Sequence, residues 1–535
     1  MKAKETGTSP AESSTTVRRG GEPTQRGLVV AGAGSGSGKT LSTLALLSGL
    51  SSRGRVVHPF KCGPDFIDPR YHEWIAGRPS FSLDLHFSAA RELRERFDRL
   101  IVQSSGGVVE GVMGLYDGID RGTSTHDIAR TLDLPLLLVI NAQGMAETLA
   151  ALVKGLAGFR SGVGILGVVA TRTGSDRHRT MIERSLSSEG LPPLVGVLPR
   201  KESLRLPERH LGLVGPGSLT PLEEETFREA IASVAGEFDW ARIDTAFRSP
   251  SVLSPEKAGR SPGPGAGPGE GVPPSRYSFT EAAKEGIRLL SEGASLPSMA
   301  RTHRLLRLGV AMDEAFWFYY PENWEVFRRH GITFDFFSPL SDRALPPGLD
   351  GLYLGGGYPE LHAGLLSGNR SLVGEVRGFC QAGRPVYAEC GGMLYLTRGP
   401  VDETENRPDP DNPDREVRLS SGEGGTALVG AIPVHFSTGE RLKRLGYAEV
   451  AAAGPGLFGS AEGAIRGHLF HYSRLRTGLP GESPVADFGA AFRHSTKEGE
   501  EGFSRGNLVA SYLHLFFSSN ETYADSFAAA MRGSR

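Results

Sequence analysis

A glycine-rich segment near the start of the chain ends in a lysine and a threonine. It reads GAGSGSGKT over residues 32–40, after the apolar run GLVVA and before the helix-like run LSTLALLSGL. In such a loop, backbone N–H groups surround phosphate oxygens, the lysine meets the terminal phosphates and the threonine hydroxyl binds Mg²⁺. The residues predicted to hold the phosphates of a nucleotide are Gly34, Gly36, Gly38, Lys39 and Thr40.

Carboxylates follow the ends of two further strand-like runs. The segment KCGPDFIDP contains Asp65 and Asp68, and the segment GGVVEGVMGLYDG contains Glu110 and Asp117. The carboxyl ends of parallel strands open on the same crevice as a phosphate loop, and Mg²⁺ prefers a few carboxylates with phosphate oxygens and water. We therefore expect Asp65 and Glu110 to join Thr40 at a metal site. Substrate contacts are predicted for Asp68, Tyr116 and Asp117.

A cysteine in the second half of the chain has the surroundings of a nucleophile. Cys390 lies between the strand-like RPVYA and an apolar helix-like run, and Gly391 and Gly392 follow it directly. A tight strand-to-helix turn holds a side chain at a helix N-terminus, where a thiolate is favoured. His514, in the strand-like NLVASYLHLFF, is the candidate base. The backbone N–H groups predicted to form an oxyanion hole are those of Gly356, Gly357 and Gly391.

The elements around these residues predict two α/β units. Val-, Ile- and Leu-rich runs alternate with amphipathic stretches, which is typical of a parallel sheet covered on both faces. A Pro-, Gly- and Ser-rich stretch over residues 249–275 divides the chain. The predicted organisation is a disordered tail (1–26), a phosphate-binding domain (27–240), a linker (241–304) and a second α/β domain (305–535) with an exposed insertion (401–425).

Composition restricts the class of protein. The 535 residues are 39% hydrophobic and 22% charged, and the formal net charge of −2 gives no electrostatic basis for nucleic-acid binding. No apolar run approaches the roughly 20 residues that span a bilayer, so no membrane association is expected. Cys62, Cys380 and Cys390 show neither metal-ligand nor disulfide spacing. A cytoplasmic protein is expected, and nothing fixes its oligomeric state, for which a homodimer stays open.

Long strings in both halves resemble one family. The phosphate loop is longer than the common GxxxxGK[ST] pattern, because Gly32 lies one position before the expected first glycine. In this it resembles the loop of the dethiobiotin synthetase group, which activates carboxylates with ATP. Most of the chain resembles the cobyrinic acid a,c-diamide synthase family in the strings KCGPDFIDP, EGVMGLYDG, GSDRH, LPERHLGLV, DEAFWFYYPEN, FFSPL, DGLYLGGGYPEL, AECGGMLYL, RGHLFHYS and NLVASYLHLFF. The resemblance implies a dethiobiotin synthetase-like ATP-dependent amidoligase domain followed by a class I glutamine amidotransferase-like domain. It also implies ATP, Mg²⁺, L-glutamine and cobyrinic acid as ligands.

Some residues depart from the pattern of these families. Class I amidotransferases usually carry Glu two residues after the catalytic His, where this chain has Phe516. The third member of a Cys-His-acid triad is therefore unassigned. Thr171 stands where the family usually has Asn, which weakens an adenine contact there, and Leu469 and Trp317 also differ from the usual residues.

Two alternatives to cobyrinic acid amidation stay open. The first keeps the chemistry but applies it to hydrogenobyrinic acid or nickel-sirohydrochlorin, since the strings above do not distinguish these tetrapyrroles. The second is a P-loop switch protein with a degenerate amidotransferase module that serves for docking. Intact Cys390 and His514 favour the enzyme.

Overall fold

A computed structural model describes most of the chain. The described residues are 26–102, 104–206, 208–209, 212–213, 219–247, 304–401, 427–439, 442–476, 485–495 and 498–534. The predicted tail up to residue 25, the predicted linker from 248 to 303 and the predicted insertion from 402 to 425 lie outside these ranges. Within the described ranges, no helix combines the length and hydropathy that crossing a membrane requires.

The first unit is built on a seven-stranded parallel sheet. Its strands are β1 (Gly27–Gly32), β2 (Val57–Cys62), β3 (Phe81–Leu83), β4 (Gly106–Glu110), β5 (Leu136–Asn141), β6 (Ile165–Thr173) and β7 (Leu194–Pro199). They lie in the order β3-β2-β4-β1-β5-β6-β7. Every residue of β1 and β4 is buried, because helices cover both faces of the sheet. This explains the continuous apolar runs of the sequence and confirms the predicted parallel sheet.

Helices connect these strands. They are α1 (Lys39–Ser52), α2 (Ile67–Ala76), α3 (Ala90–Ile101), α4 (Thr125–Leu132), α5 (Glu147–Phe159), α6 (Asp176–Ser188), α7 (Pro221–Ala235) and α8 (Trp240–Ile243). Short 3₁₀ turns span Ile119–Arg121, Glu202–Leu204 and Asp244–Phe247, and a small hairpin joins β8 (Glu208–Arg209) to β9 (Gly212–Leu213). Ile243 and Phe247 are buried in the first unit. The ordered first unit therefore continues past the predicted boundary at residue 240.

The second unit contains a six-stranded sheet. Its strands are β10 (Leu306–Ala311), β11 (Ile332–Phe337), β12 (Gly351–Leu354), β13 (Val386–Glu389), β20 (Phe503–Arg505) and β21 (Leu508–Ser511), in the order β11-β10-β12-β13-β21-β20. All neighbours are parallel except β20 and β21. Its helices are α9 (Pro321–Arg329), α10 (Ala363–Gly368), α11 (Arg370–Gln381), α12 (Gly391–Leu396) and α13 (Thr522–Gly533). Short 3₁₀ turns span Pro359–His362, Val485–Asp487 and Phe517–Ser519.

A smaller antiparallel sheet packs in the same unit. It consists of β15 (Arg444–Ala452), β16 (Ile465–His471), β18 (Phe492–His494), β19 (Glu500–Glu501) and β22 (Leu513–Leu515), in the order β19-β18-β15-β16-β22. A separate ribbon pairs β14 (His435–Thr438) with β17 (Ser473–Arg476). In this sheet His468 of β16 lies opposite His514 of β22. The candidate base is therefore fixed in regular structure.

The two units are in direct contact through side chains that follow β2 and β3. Phe66 and Phe87 of the first unit are buried in the same apolar cluster as the core of the second. Polar contacts cross the same boundary, since the backbone N–H of Ser82 donates to Glu322 (2.7 Å) and the Tyr447 hydroxyl donates to Asp84 (2.6 Å). The interface thus joins the carboxyl edge of the first sheet to the second unit.

Candidate active site

The phosphate loop lies between the end of β1 and the start of α1. Gly36 and Gly38 have φ values of 73° and 95°, which residues other than glycine rarely adopt, and Gly38 is the N-cap of α1. The Lys39 ammonium donates to the carbonyl oxygens of Gly34 (3.1 Å) and Met113 (2.6 Å). Burial lowers the pKa of Lys39. The lysine therefore lies across the loop, at the side where a P-loop lysine meets phosphate oxygens.

Thr171 also contacts this loop. Its hydroxyl donates to the carbonyl oxygen of Ser37 (2.7 Å), and a Cβ added at Gly38 would lie 2.7 Å from its methyl group. The residue that departs from the family pattern thus supports the loop from β6 and is buried.

Glu110 is the centre of a buried polar cluster next to the loop. Its Oε1 accepts from the Thr40 hydroxyl (2.9 Å) and from the Lys61 ammonium (2.9 Å), while its Oε2 lies 2.7 Å from His72 Nε2. Burial opposes ionisation, but Lys61 and His72 outweigh it and hold the pKa of Glu110 well below its usual range. The structure brings together Thr40 and Glu110, two of the three predicted metal ligands.

Asp65, the third predicted metal ligand, lies on the other side of Lys61. Its Oδ2 is 3.5 Å from the Lys61 ammonium, and its Oδ1 accepts from the backbone N–H of Ile67 at the start of α2. Lys61 also forms a close ion pair with Asp68. Burial disfavours the charge on Lys61, but Asp68, Glu110 and Asp65 together raise its pKa well above the ordinary value. Lys61 is thus the shared cation of three carboxylates, a role that the sequence did not predict.

The predicted substrate residues have local partners. Asp68 is buried and its pKa is raised by burial and by Asp65. The Tyr116 hydroxyl donates to the carbonyl oxygen of Leu156 (2.6 Å), and Asp117 accepts from the backbone N–H of Gly114 (2.7 Å). The contacts of Tyr116 and Asp117 shape the loop after β4. A role toward substrate stays a prediction for Asp68, Tyr116 and Asp117.

Cys390 lies in a strained turn between β13 and α12. Its φ of 45° and ψ of −103° are unusual for a residue with a side chain. The backbone N–H of Cys390 donates to the carbonyl oxygen of Ser511 (2.7 Å), which ties the turn to β21. Burial, followed by the carboxylate of Glu360, raises the pKa of the thiol. The geometry is that of a nucleophile elbow whose thiol needs a base.

The glycine loop after β12 packs against this elbow. A Cβ added at Gly391 would lie 3.0 Å from the backbone nitrogen of Gly357, and a Cβ at Gly392 would collide with the carbonyl oxygen of Leu354. A Cβ at Gly356 would collide with the ring of His514. These close approaches bring the three predicted oxyanion-hole glycines, the elbow and His514 into one site.

Glu389 is the acid that sequence reasoning missed. Its Oε2 lies 3.7 Å from His514 Nδ1, and its two oxygens accept from the hydroxyls of Tyr353 (2.9 Å) and Tyr387 (2.6 Å). A signal was present, since a charged residue ends the apolar strand RPVYA, just as Glu110 ends GGVV. Glu389 precedes the nucleophile instead of following the histidine. It can therefore supply the carboxylate that Phe516 cannot.

Comparison with known proteins places the two units in known groups. Residues 28–214 match a family described as CobQ/CobB/MinD/ParA nucleotide binding domain. Residues 307–522 match a family described as CobB/CobQ-like glutamine amidotransferase domain. The first unit is thus a nucleotide-binding domain, and the second is an amidotransferase domain.

Curated proteins similar to the whole chain carry closely related names. A cobyrinate a,c-diamide synthase of Syntrophotalea carbinolica is 39% identical over 95% of this chain and 98% of that protein. One of a Synechococcus species is 34% identical over 94% of this chain and 98% of its own length. A hydrogenobyrinate a,c-diamide synthase of Pseudomonas aeruginosa is 35% identical over 94% and 98% respectively.

Proposed function

The chain belongs to the cobyrinate a,c-diamide synthase family, and from this premise we propose that it amidates the a and c carboxylates of cobyrinic acid. It is a glutamine-dependent amidating ligase, and we take ATP as the nucleotide that activates each carboxylate. The observation that supports the proposal is that one chain groups Lys39, Thr40 and Glu110 at a phosphate loop and groups Cys390, Glu389 and His514 at a strand-to-helix turn.

The glutaminase half-reaction uses the second unit. His514 takes the thiol proton, and the sulfur of Cys390 attacks the side-chain amide carbon of glutamine. The backbone N–H groups of Gly357 and Gly391, together with the Gly356 loop, stabilise the negative oxygen that forms. The proton passes from His514 to the amide nitrogen, ammonia leaves, and water hydrolyses the thioester to give glutamate and the free thiol. Glu389 stabilises His514 while it carries the proton.

The ligase half-reaction uses the first unit. A substrate carboxylate attacks the γ-phosphate of ATP, ADP leaves, and ammonia then displaces phosphate from the acyl phosphate. Lys39 and the loop glycines stabilise the charge that develops on the phosphates.

We assign the Mg²⁺ that accompanies ATP to Thr40 and Glu110. The described ranges contain no cluster of three or more His, Cys, Asp or Glu side chains able to hold a metal ion. Two protein oxygens that are hydrogen-bonded to each other fit an ion whose other ligands are phosphate oxygens and water. When bound, Mg²⁺ neutralises charge on the phosphates. Glu110→Gln is expected to abolish amide formation. The basal hydrolysis of glutamine, measured without Mg·ATP, should fall much less, because its reacting residues lie in the other unit. Unchanged amide formation would contradict this assignment.

One relative favours a second candidate substrate. The Pseudomonas aeruginosa protein is named for hydrogenobyrinate and matches this chain about as closely as several cobyrinate enzymes. Hydrogenobyrinic acid is therefore the first alternative, and nickel-sirohydrochlorin is the second. The names of these relatives favour an enzyme over the docking-module hypothesis. The homodimer also stays a proposal, to be tested by light scattering.

The test is mass spectrometry of each tetrapyrrole after incubation with enzyme, Mg·ATP and glutamine labelled at the amide nitrogen. We expect two labelled nitrogens per cobyrinic acid, none with Cys390→Ala, and restored amidation when ammonium is supplied to that variant. A mass change only on another tetrapyrrole would reassign the substrate. No change on any of the three would overturn the proposed function.

A further inference from the structure

Phe66 inserts from the first unit into the glutaminase site of the second. Its ring stacks on Phe318 with centroids 5.0 Å apart and an interplanar angle of 12°. The same ring lies 4.9 Å from the ring of His514 and 5.4 Å from that of His468. Although it follows β2 in the nucleotide-binding unit, the side chain is only 8% exposed. Phe66 therefore belongs structurally to the surroundings of His514.

His514 depends on packing for its orientation. Within the described residues, neither ring nitrogen has a hydrogen-bond partner, and the nearest carboxylate oxygen, on Glu389, is 3.7 Å away. The ring is stacked on His468 at 4.9 Å and lies against Gly356. Phe66 closes a further side. This contact to His514 comes from the other unit, so the position of the first unit enters the geometry of the base.

The backbone that carries Phe66 is held by the polar cluster of the nucleotide site. Phe66 lies between Asp65 and Asp68, and both carboxylates contact the Lys61 ammonium. Lys61 in turn binds Glu110, which accepts from Thr40 of the phosphate loop. A nucleotide and its metal bind at Thr40 and Glu110 in the proposed function. A nucleotide and metal bound there would compete with Lys61 for Glu110, and Lys61 also contacts Asp65 and Asp68 on either side of Phe66.

We propose that Phe66 is a positioning residue, whose ring holds His514 in the orientation that glutamine hydrolysis requires. That orientation then depends on the cluster that Lys61 forms with Asp65, Asp68 and Glu110. The inference rests on the proposed function and deepens it, because it assigns the coupling of the two half-reactions to one side chain. Bound nucleotide and hydrolysis of glutamine are then linked without any shared ligand.

The test compares Phe66→Leu with Phe87→Leu. Phe87 is a matched control, since it is also buried at the interface but packs on Phe516, Tyr320 and Tyr447 instead of His514. Hydrolysis of glutamine is measured with and without Mg·ATP and tetrapyrrole. Phe66→Leu is expected to lower kcat roughly tenfold through misplacement of the base, with KM for glutamine changed by less than about twofold. Phe66→Tyr, which keeps the ring, is expected to retain most of the activity.

Three further readouts separate positioning from general damage. The wild type is expected to hydrolyse glutamine at a rate that responds to Mg·ATP and tetrapyrrole, and Phe66→Leu is expected to lose this response. Ammonia-dependent amidation and the melting temperature should change no more in Phe66→Leu than in Phe87→Leu. Equal losses of kcat in the two variants, or a wild type whose glutaminase ignores Mg·ATP, would overturn the inference. A wild type without glutaminase activity would instead overturn the proposed function.

Discussion

The residue directly before the nucleophile places a carboxylate oxygen 3.7 Å from Nδ1 of His514. Glu389 is 1% exposed and accepts from two tyrosine hydroxyls and from the backbone N–H of Leu515. Such a set of donors keeps a buried carboxylate in one position. A carboxylate held beside the Nδ1 of His514 favours the charged imidazolium during proton transfer.

Replacing this carboxylate tests its role. Glu389→Gln keeps the shape of the side chain but removes its charge, so we expect kcat for glutamine hydrolysis to fall at least about tenfold, with little change in KM. Steady-state glutaminase assays measure both constants. Tyr353→Phe removes one donor to the same carboxylate and keeps its charge, so a smaller loss is expected. An unchanged kcat in Glu389→Gln would remove Glu389 from the site.

The sequence indicated single charged and nucleophilic residues better than the side chains that contact them. Thr40 and Glu110, both predicted to bind the metal, are in contact, because the carboxyl ends of parallel strands converge. Lys61 and Phe66 were missed although they lie in the quoted segment KCGPDFIDP. A lysine and a phenylalanine in a loop carry no local signal of what they meet across a sheet or an interface.

The turn from β13 into α12 is tightly constrained by its neighbours. Gly392, the second residue of α12, lies against the carbonyl oxygen of Leu354 at the end of β12, and the helix follows Cys390, whose φ is positive. Close packing leaves no space for a methyl group there. The elbow therefore requires glycine for steric reasons as well as for chemistry.

Two alanine substitutions test this constraint. Gly392→Ala is expected to lower the free energy of unfolding by roughly 2 kcal/mol or more, because the methyl group overpacks the turn, and to abolish hydrolysis of glutamine. Gly374→Ala lies within α11, where an added Cβ meets nothing within 4 Å. It should stabilise the protein by about 0.5–1 kcal/mol. Thermal melting of both variants provides the measurement, and equal melting temperatures would contradict the steric argument.

The sequence predicted the parallel strands well and the antiparallel sheet poorly. Strands such as β1, β4 and β5 are apolar throughout, which is a local signal. The pairing of β16 with β22, which sets His468 opposite His514, joins segments far apart in the chain. Such register depends on tertiary contacts that no local pattern encodes. His514 was therefore recognised as a residue on a strand, but its neighbours were not.

For the whole molecule, a buried carboxylate at the interface makes stability depend on pH. Glu322 of α9 accepts from the backbone N–H of Ser82 in the other unit, and its second oxygen has no hydrogen-bond partner within the described ranges. Burial raises the pKa of Glu322 from 4.5 to about 7, although Arg96 acts in the opposite direction. The folded protein thus keeps the Glu322 carboxyl group protonated at pH values where the same group in the unfolded chain has lost its proton.

Because the pKa of Glu322 is higher in the folded protein than in the unfolded chain, stability falls as the pH rises. The contribution of Glu322 to stability is fully present below pH 4.5 and is lost as the pH rises to about 7. The loss is on the order of 3 kcal/mol. Glu322→Gln cannot ionise, so its melting temperature should exceed that of the wild type by more at pH 8 than at pH 5. Glu325→Gln, which breaks a partly exposed pair with Arg99, should show a much smaller difference between the two pH values. Equal effects of Glu322→Gln at both pH values would refute the argument.

The predicted division into two α/β units agrees with the two sheets, but their contact was not predictable. Composition identifies a Pro- and Gly-rich stretch between the units and says nothing of the surfaces on either side. The interface depends on aromatic residues such as Phe66, Phe87 and Phe516, which sequence alone assigns to cores. They do lie in a core, but it is one that both units build.

The burial of all three thiols bears on how the enzyme could be inhibited. Cys62, Cys380 and Cys390 are at most 6% exposed, and burial raises the pKa of each. Peroxides and simple alkylating reagents react with exposed thiolates, so the resting enzyme should tolerate air and iodoacetamide. An electrophile carried on a glutamine-like amino acid frame would instead reach Cys390 by the route of the substrate, where His514 generates the thiolate. Selective covalent inactivation is thus a matter of mimicking the substrate and does not depend on intrinsic reactivity.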